Sequence, residues 1–104
     1  MKSSPLAVPH DVGFDSVVVT ADAPLDPIRF DDWLTTLPRS VYRAKGFVRL
    51  CDQQDPIVVH LVGTRRMAER APAGVSVSGA ILVLIGRDIA AHDFRTGLLR
   101  CIAS

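Results

Sequence analysis

The stretch Ala80-Ile-Leu-Val-Leu-Ile85, closed by Gly86, sets apolar side chains at consecutive positions over the length of one strand. Successive strand residues point to opposite faces, so this strand is apolar on both. It predicts an interior strand covered above and below. A chain built around it must supply a sheet and at least one further layer. The run is far too short to cross a bilayer as a helix, which takes about 20 apolar residues.

The remaining elements follow from changes of period. Residues 1–13 mix Ser, Pro, His, Asp and Gly with scattered apolar residues and read as a linker or frayed terminus. One domain is expected over residues 14–104. Phe14-Asp-Ser-Val-Val-Val-Thr20 is short and β-branched, a first strand. Asp26-Pro27 gives an N-cap followed by proline in the first turn, and Phe30, Trp33, Leu34 and Leu37 then place one apolar stripe on a helix that Pro38 ends. From Val41 the period drops to two, which sets Tyr42, Ala44, Val48 and Leu50 on a covered face and Arg43, Lys45, Phe47 and Arg49 on the other. Asp52 to Pro56 is a polar turn, and Ile57-Val-Val-His-Leu-Val62 returns as the hairpin partner. In residues 64–78, Arg65, Arg66, Glu69 and Arg70 are compatible with a strand extension or a short helical turn, and no element is assigned. Phe94, Leu98, Cys101 and Ile102 mark a last helix, with Gly97 inside it. The fold expected is α+β: a two-layer sandwich with a four-stranded mixed or antiparallel sheet, both helices on one face, in the order β-α-β-β-β-α, related to ferredoxin-like folds.

Composition narrows the function. Apolar residues make up 48% of 104 and charged ones 22%, enough for one core without staples. Twelve Lys and Arg against 11 Asp and Glu leave a net charge of +1, which gives no field for nucleic acid or an anionic membrane. Met1-Lys2-Ser-Ser-Pro lacks the apolar core of an export signal, so a cytoplasmic domain is expected. Cys51 and Cys101 stand apart, without Cys-x-x-Cys spacing, and read as small half-buried hydrophobes in a reducing compartment.

Five ordered segments, Phe14-Asp-Ser-Val, Pro24-Leu-Asp-Pro-Ile-Arg-Phe30, Trp33-Leu34, Val41-Tyr-Arg-Ala-Lys-Gly-Phe47 and Ile85-Gly-Arg87, together resemble the C-terminal domain of the CobW family. Arg43-Ala-Lys-Gly-Phe47 is the most specific of them. The resemblance covers about residues 10 to 104. It implies an accessory or interaction domain of a GTPase metallochaperone system, linked to metal delivery or cobalamin synthesis. In that family the domain follows a P-loop GTPase domain that carries a Cys-rich metal motif. Neither motif occurs in these residues.

The resemblance implies as partners a CobW-type P-loop GTPase domain or a metal-receiving client protein, and a homo-oligomer is compatible with the sequence. It implies no cofactor held by this chain, with zinc or another divalent metal entering through a partner domain. Its motif falls on Arg43, Lys45 and Gly46, which with Phe47 and Arg49 form the candidate partner- or anion-binding set. The plain alternative is a solvated sheet face. A different function on the same residues is a free-standing regulatory domain that binds a small anionic ligand. His10 is a candidate metal ligand, because relatives carry histidines before the first strand, yet His10-Asp11 alone cannot complete a site of three or four ligands. His60 reads as a sheet residue and His92 as solvent-facing.

Catalysis finds no support. Asp31 and Asp32 are consecutive and diverge on a helix, and Ser16, Ser40, Ser76 and Ser78 lie in no G-x-S-x-G turn. No G-x-x-x-x-G-K-[ST] is present to cradle phosphates. The chain alone should therefore neither bind GTP tightly nor hydrolyse it. Titration with labelled GTP should show no saturation in the micromolar range and no turnover above a buffer control.

Overall fold

The computed structural model describes residues 14–103. In chain order the elements are β1 (Phe14–Ala21), α1 (Pro27–Thr35), β2 (Val41–Val48), β3 (Ile57–Val62), β4 (Arg65–Arg70), β5 (Ala80–Arg87) and α2 (Phe94–Leu99). The strands form one five-stranded sheet in the order β1-β5-β2-β3-β4, with every neighbouring pair antiparallel. Since β1 and β2 both run against β5, they are parallel to each other. α1 carries the chain between them, leaving a gap that β5 fills later.

Both helices lie on one face. Phe30, Trp33 and Leu34 of α1 and Phe94 and Leu98 of α2 share a single core with Val19, Ala44, Val48, Val59, Leu61, Leu82 and Leu84 from the strands. Leu82 and Leu84 are fully buried, and each such side chain contributes roughly 1.5–3 kcal/mol. α1 starts as its sequence requires: the Asp26 carboxylate accepts from the Arg29 N–H at 2.9 Å, with Pro27 in the first turn. At its other end the Thr35 and Thr36 hydroxyls donate to the carbonyls of Asp32 and Trp33, at 2.6 and 2.7 Å, so these last-turn acceptors are satisfied.

Leu25 ties three parts of the chain together. Its N–H donates to the Arg49 carbonyl at 2.9 Å, and its own carbonyl accepts from Cys51 at 2.9 Å. The flanking Asp26 N–H donates to Cys101, at 2.7 Å, and the Pro24 carbonyl accepts from Ala103, at 3.0 Å. Asp15 fixes the far end of β5, accepting from the N–H groups of Ile89 and Ala90 at 2.9 and 3.2 Å. These bonds brace a turn in which Asp88 is left-handed, φ +56°, a region that Asp tolerates better than most residues.

The architecture is the α+β sandwich expected, with three corrections. First, the sheet has five strands and not four, because residues 65–70 form β4. All six of its residues are exposed, so no apolar alternation announces it. The legible signal was Gly63-Thr64, a two-residue Gly-X loop with Gly63 at φ +61°, the pattern of a type II′ hairpin turn. Second, Tyr42 is exposed rather than covered. A bulge between Val41 and Arg43 breaks the register with β5, so Val41 turns inward while Tyr42 and Arg43 both face out. Third, β5 is interior to the sheet but covered on one face only. Ile81 and Ile85 are 42% and 36% exposed, because among the described residues no layer lies opposite the helices.

Gly46 stands mid-strand on the inward side, where a Cβ would collide with the Ile81 carbonyl oxygen and lie 2.8 Å from the Leu82 Cα. Only glycine lets β2 and β5 approach this closely. Gly46→Ala should therefore cost about 2–3 kcal/mol through forced strand displacement, read as a lower urea midpoint at unchanged slope. An unchanged midpoint would show that the strands separate freely.

Candidate functional site

The face opposite the helices is a surface of aligned rows. Register places Val18, Val83, Lys45, His60 and Met67 side by side across β1, β5, β2, β3 and β4. Beside this row run Thr20, Ile81, Phe47, Val58 and Glu69 on one flank, and Ser16, Ile85, Arg43, Val62 and Arg65 on the other. Val18, Met67, Val62, Ile81 and Ile85 are exposed, and Phe47, Val58 and Val83 are half-buried by their neighbours. Between β5, β2 and β3 they form a shallow hollow of about 500 Å³, over which Arg43, Lys45 and His60 stand.

The charges of this face are one-sided. Arg43, Lys45, Arg65 and Arg87 point out from it and Glu69 is the one carboxylate among them. At one end Phe14 meets the Tyr42 ring edge-on, with centroids 5.5 Å apart, and the Arg87 guanidinium lies over Phe14 at 5.5 Å. This aromatic and cationic cluster closes that end of the face.

The sequence candidates divide accordingly. Arg43, Lys45 and Phe47 stand together on the open face. Gly46 points to the helix side, and Arg49 lies beyond the end of β2, exposed, with its backbone bonded to Gly79 and Leu25. The alternation of one strand could not reveal Ile81, Val83, Ile85, Val58, Val62 and Met67, which reach the same surface from three other strands. His10 lies outside the described residues.

No metal-binding arrangement occurs among the described residues, where no three of His, Cys, Asp and Glu come together. His60 is half-buried on the open face and His92 exposed beside Phe94. The cysteines are unpaired and unlike each other. Cys101 is buried, with its Sγ 3.4 Å from the carbonyls of Arg29 and Gly97, and burial pushes its thiol pKa up. Cys51 is exposed and not half-buried, because it follows the last inward residue of the β2 extension, Leu50. No described helix is long and apolar enough to cross a membrane.

Residues 14–102 match the family model described as cobalamin synthesis protein cobW C-terminal domain. The chain belongs to that family. No curated protein is significantly similar to it in sequence. Among solved structures, the CobW C-terminal fold recurs in the Zn(II)-bound YjiA GTPase from E. coli, at TM-score 0.74 and 17% identity, covering 99% of this chain and 34% of that one. A Zn(II)-bound triple mutant of YjiA GTPase aligns at TM-score 0.69 and 19% identity, covering 88% and 30%. At such identities the likeness is one of fold. This chain spans about a third of the length of those GTPases.

The zinc named for those GTPases does not fit the described residues of this CobW C-terminal domain, which gather no tetrahedral donor set. Zinc should accordingly be lost to a chromogenic chelator of roughly micromolar affinity. Stoichiometric retention at nanomolar free zinc, abolished by His10→Ala, would place a site in the N-terminal segment instead.

Proposed function

We propose that this CobW C-terminal domain is an accessory docking module, without catalysis of its own, whose open sheet face seats a CobW-type GTPase domain in a cytoplasmic metal-delivery or cobalamin-related system. The carrying observation is the uncovered face of β5. Ile81, Val83 and Ile85 have the composition of a strand buried on both sides, yet among the described residues only the helix side is covered. Contiguous apolar surface of this kind marks an interaction site. Family membership supports the choice of partner, since the YjiA chains that share the fold are GTPases. The charges support specificity: Lys45 and Arg43 rise from an apolar field and call for carboxylates on the opposing surface. A metal would reach this module through that partner.

A second reading, a small anionic ligand in the hollow beneath Lys45 and His60, is favoured by its volume of about 500 Å³, within the range of ligand sites. The hollow is shallow and open, so such a ligand would keep much of its surface in water. That favours a protein partner.

Ile81→Glu and Lys45→Glu should each leave the melting temperature nearly unchanged, because both side chains are exposed and surface changes stay within about ±0.5 kcal/mol. Affinity for a CobW-type GTPase domain supplied as a separate chain, measured calorimetrically, should fall by about 2–5 kcal/mol where the contact is desolvated. Normal affinity in both variants would move the interface elsewhere. Loss of folding in both would make these residues structural.

A further inference from the structure

A second concavity adjoins the open face at Arg43. It lies between the C-terminal end of α1, the start of β2 and the tip of the β3–β4 hairpin, and has a volume of about 760 Å³. Its floor is apolar, made by Leu34, Leu37, Val41 and Leu61, all buried or half-buried. Its rim is exposed and cationic, with Arg39, Arg43 and Arg66. Among the described residues only Arg66 has a carboxylate partner, Asp31, which leaves Arg39 and Arg43 free. The bulge makes this groove: it sends Tyr42 outward to the rim while Val41 drops to the floor. The α1 carbonyls that would repel an anion here are occupied in part by Thr35, Thr36 and Leu37.

We propose that this groove receives an acidic peptide segment with one large apolar side chain, supplied by the partner that covers the open face. The apolar side chain rests on Leu34, Leu37 and Leu61, and flanking carboxylates meet Arg39 and Arg43. The identity of the donor rests on the docking reading, but the chemistry of the groove does not. Charge complementarity favours an acidic segment, because Arg39 and Arg43 rim the groove with no carboxylate partner among the described residues. The groove is the concave surface that Arg43 joins directly to the rows, so a segment leaving the face can continue into it.

The test uses fluorescence anisotropy with a labelled heptapeptide, Asp-Glu-Ser-Glu-Phe-Asp-Glu amide, and a control in which every acidic residue is lysine. The acidic peptide should bind at roughly 10–100 µM, and the lysine control should not. Arg39→Glu, an exposed substitution away from the open rows, should weaken binding about tenfold or more without changing the melting temperature. Lys45→Glu, on the open face, should leave peptide affinity within about twofold. Equal binding of both peptides, insensitivity to Arg39→Glu, or an equal loss from Lys45→Glu would overturn the proposal. Failure of the docking reading shows separately, as absence of wild-type binding to the GTPase domain while Arg39-dependent peptide binding persists.

Discussion

β5 is hydrogen-bonded along both edges, to β1 and to β2, and the fold closes only when it enters between them. Everything before it in sequence prepares that gap. α1 must carry the chain from β1 to a parallel β2 one strand away, and the β3–β4 hairpin must extend the sheet beyond β2. The last interior strand to be made therefore holds the two halves of the sheet together, and its inward leucines lie under both helices. At Gly46 the local approach of β2 to β5 leaves no room for a Cβ, which would run into the backbone of Ile81 and Leu82.

The same strand leaves apolar residues in water. A strand with apolar residues at every position suits a three-layer arrangement, whereas two helices provide one cover. Left bare, such a face invites indiscriminate association. Here cations interrupt it at intervals: Lys45 stands between Val83 and His60, and Arg43 between Ile85 and Val62. Each forbids an apolar surface without compensating carboxylates, because burying an unpaired ammonium or guanidinium costs several kcal/mol. On the docking proposal, this arrangement selects partners that carry carboxylates while keeping the apolar area. The β4 edge works the same way, since Arg65, Arg66, Glu69 and Arg70 discourage a further strand from adding there.

What the sequence disclosed and what it hid divide along a physical line. Local signals were legible: the Asp26-Pro27 start of α1, the stripe of Phe30, Trp33 and Leu34, the alternation through Ala44 and Val48, the strand at Ile57–Val62. Each depends on residues close in the chain. β4 escaped because an exposed edge strand has no buried face to impose a period. Tyr42 was misplaced because a bulge shifts parity by one residue, and single-strand alternation cannot register an extra residue that only the partner strand reveals. The long-range stitch through Leu25 left no trace beyond an apolar residue next to a helix cap. Of the candidate site, Arg43, Lys45 and Phe47 were readable from one strand. The apolar field around them required knowing which strands lie beside β2.

That the interior strand was expected to be covered on both faces, and is covered on one, bears on how such patterns are read. The sequence of β5 reads as a strand buried on both faces, while the described residues cover it on one. When the two agree, burial is internal. When an interior strand carries buried-type residues on a face where Ile81 and Ile85 remain in water, the difference is apolar surface that the described residues leave uncovered, and the docking proposal assigns that surface to a partner. Solvated sheet faces also occur, but they favour Thr, Lys, Glu and Ser at outward positions, as alternation in antiparallel sheets normally provides. Ile81, Val83 and Ile85 in succession on β5, with Val18 on one side and Phe47, Val58 and Val62 on the other, depart from that pattern across four adjacent strands. A single misplaced residue would carry no weight; the docking proposal rests on a coherent patch, bounded by Arg87 over Phe14 at one end and by charged edge residues along β4.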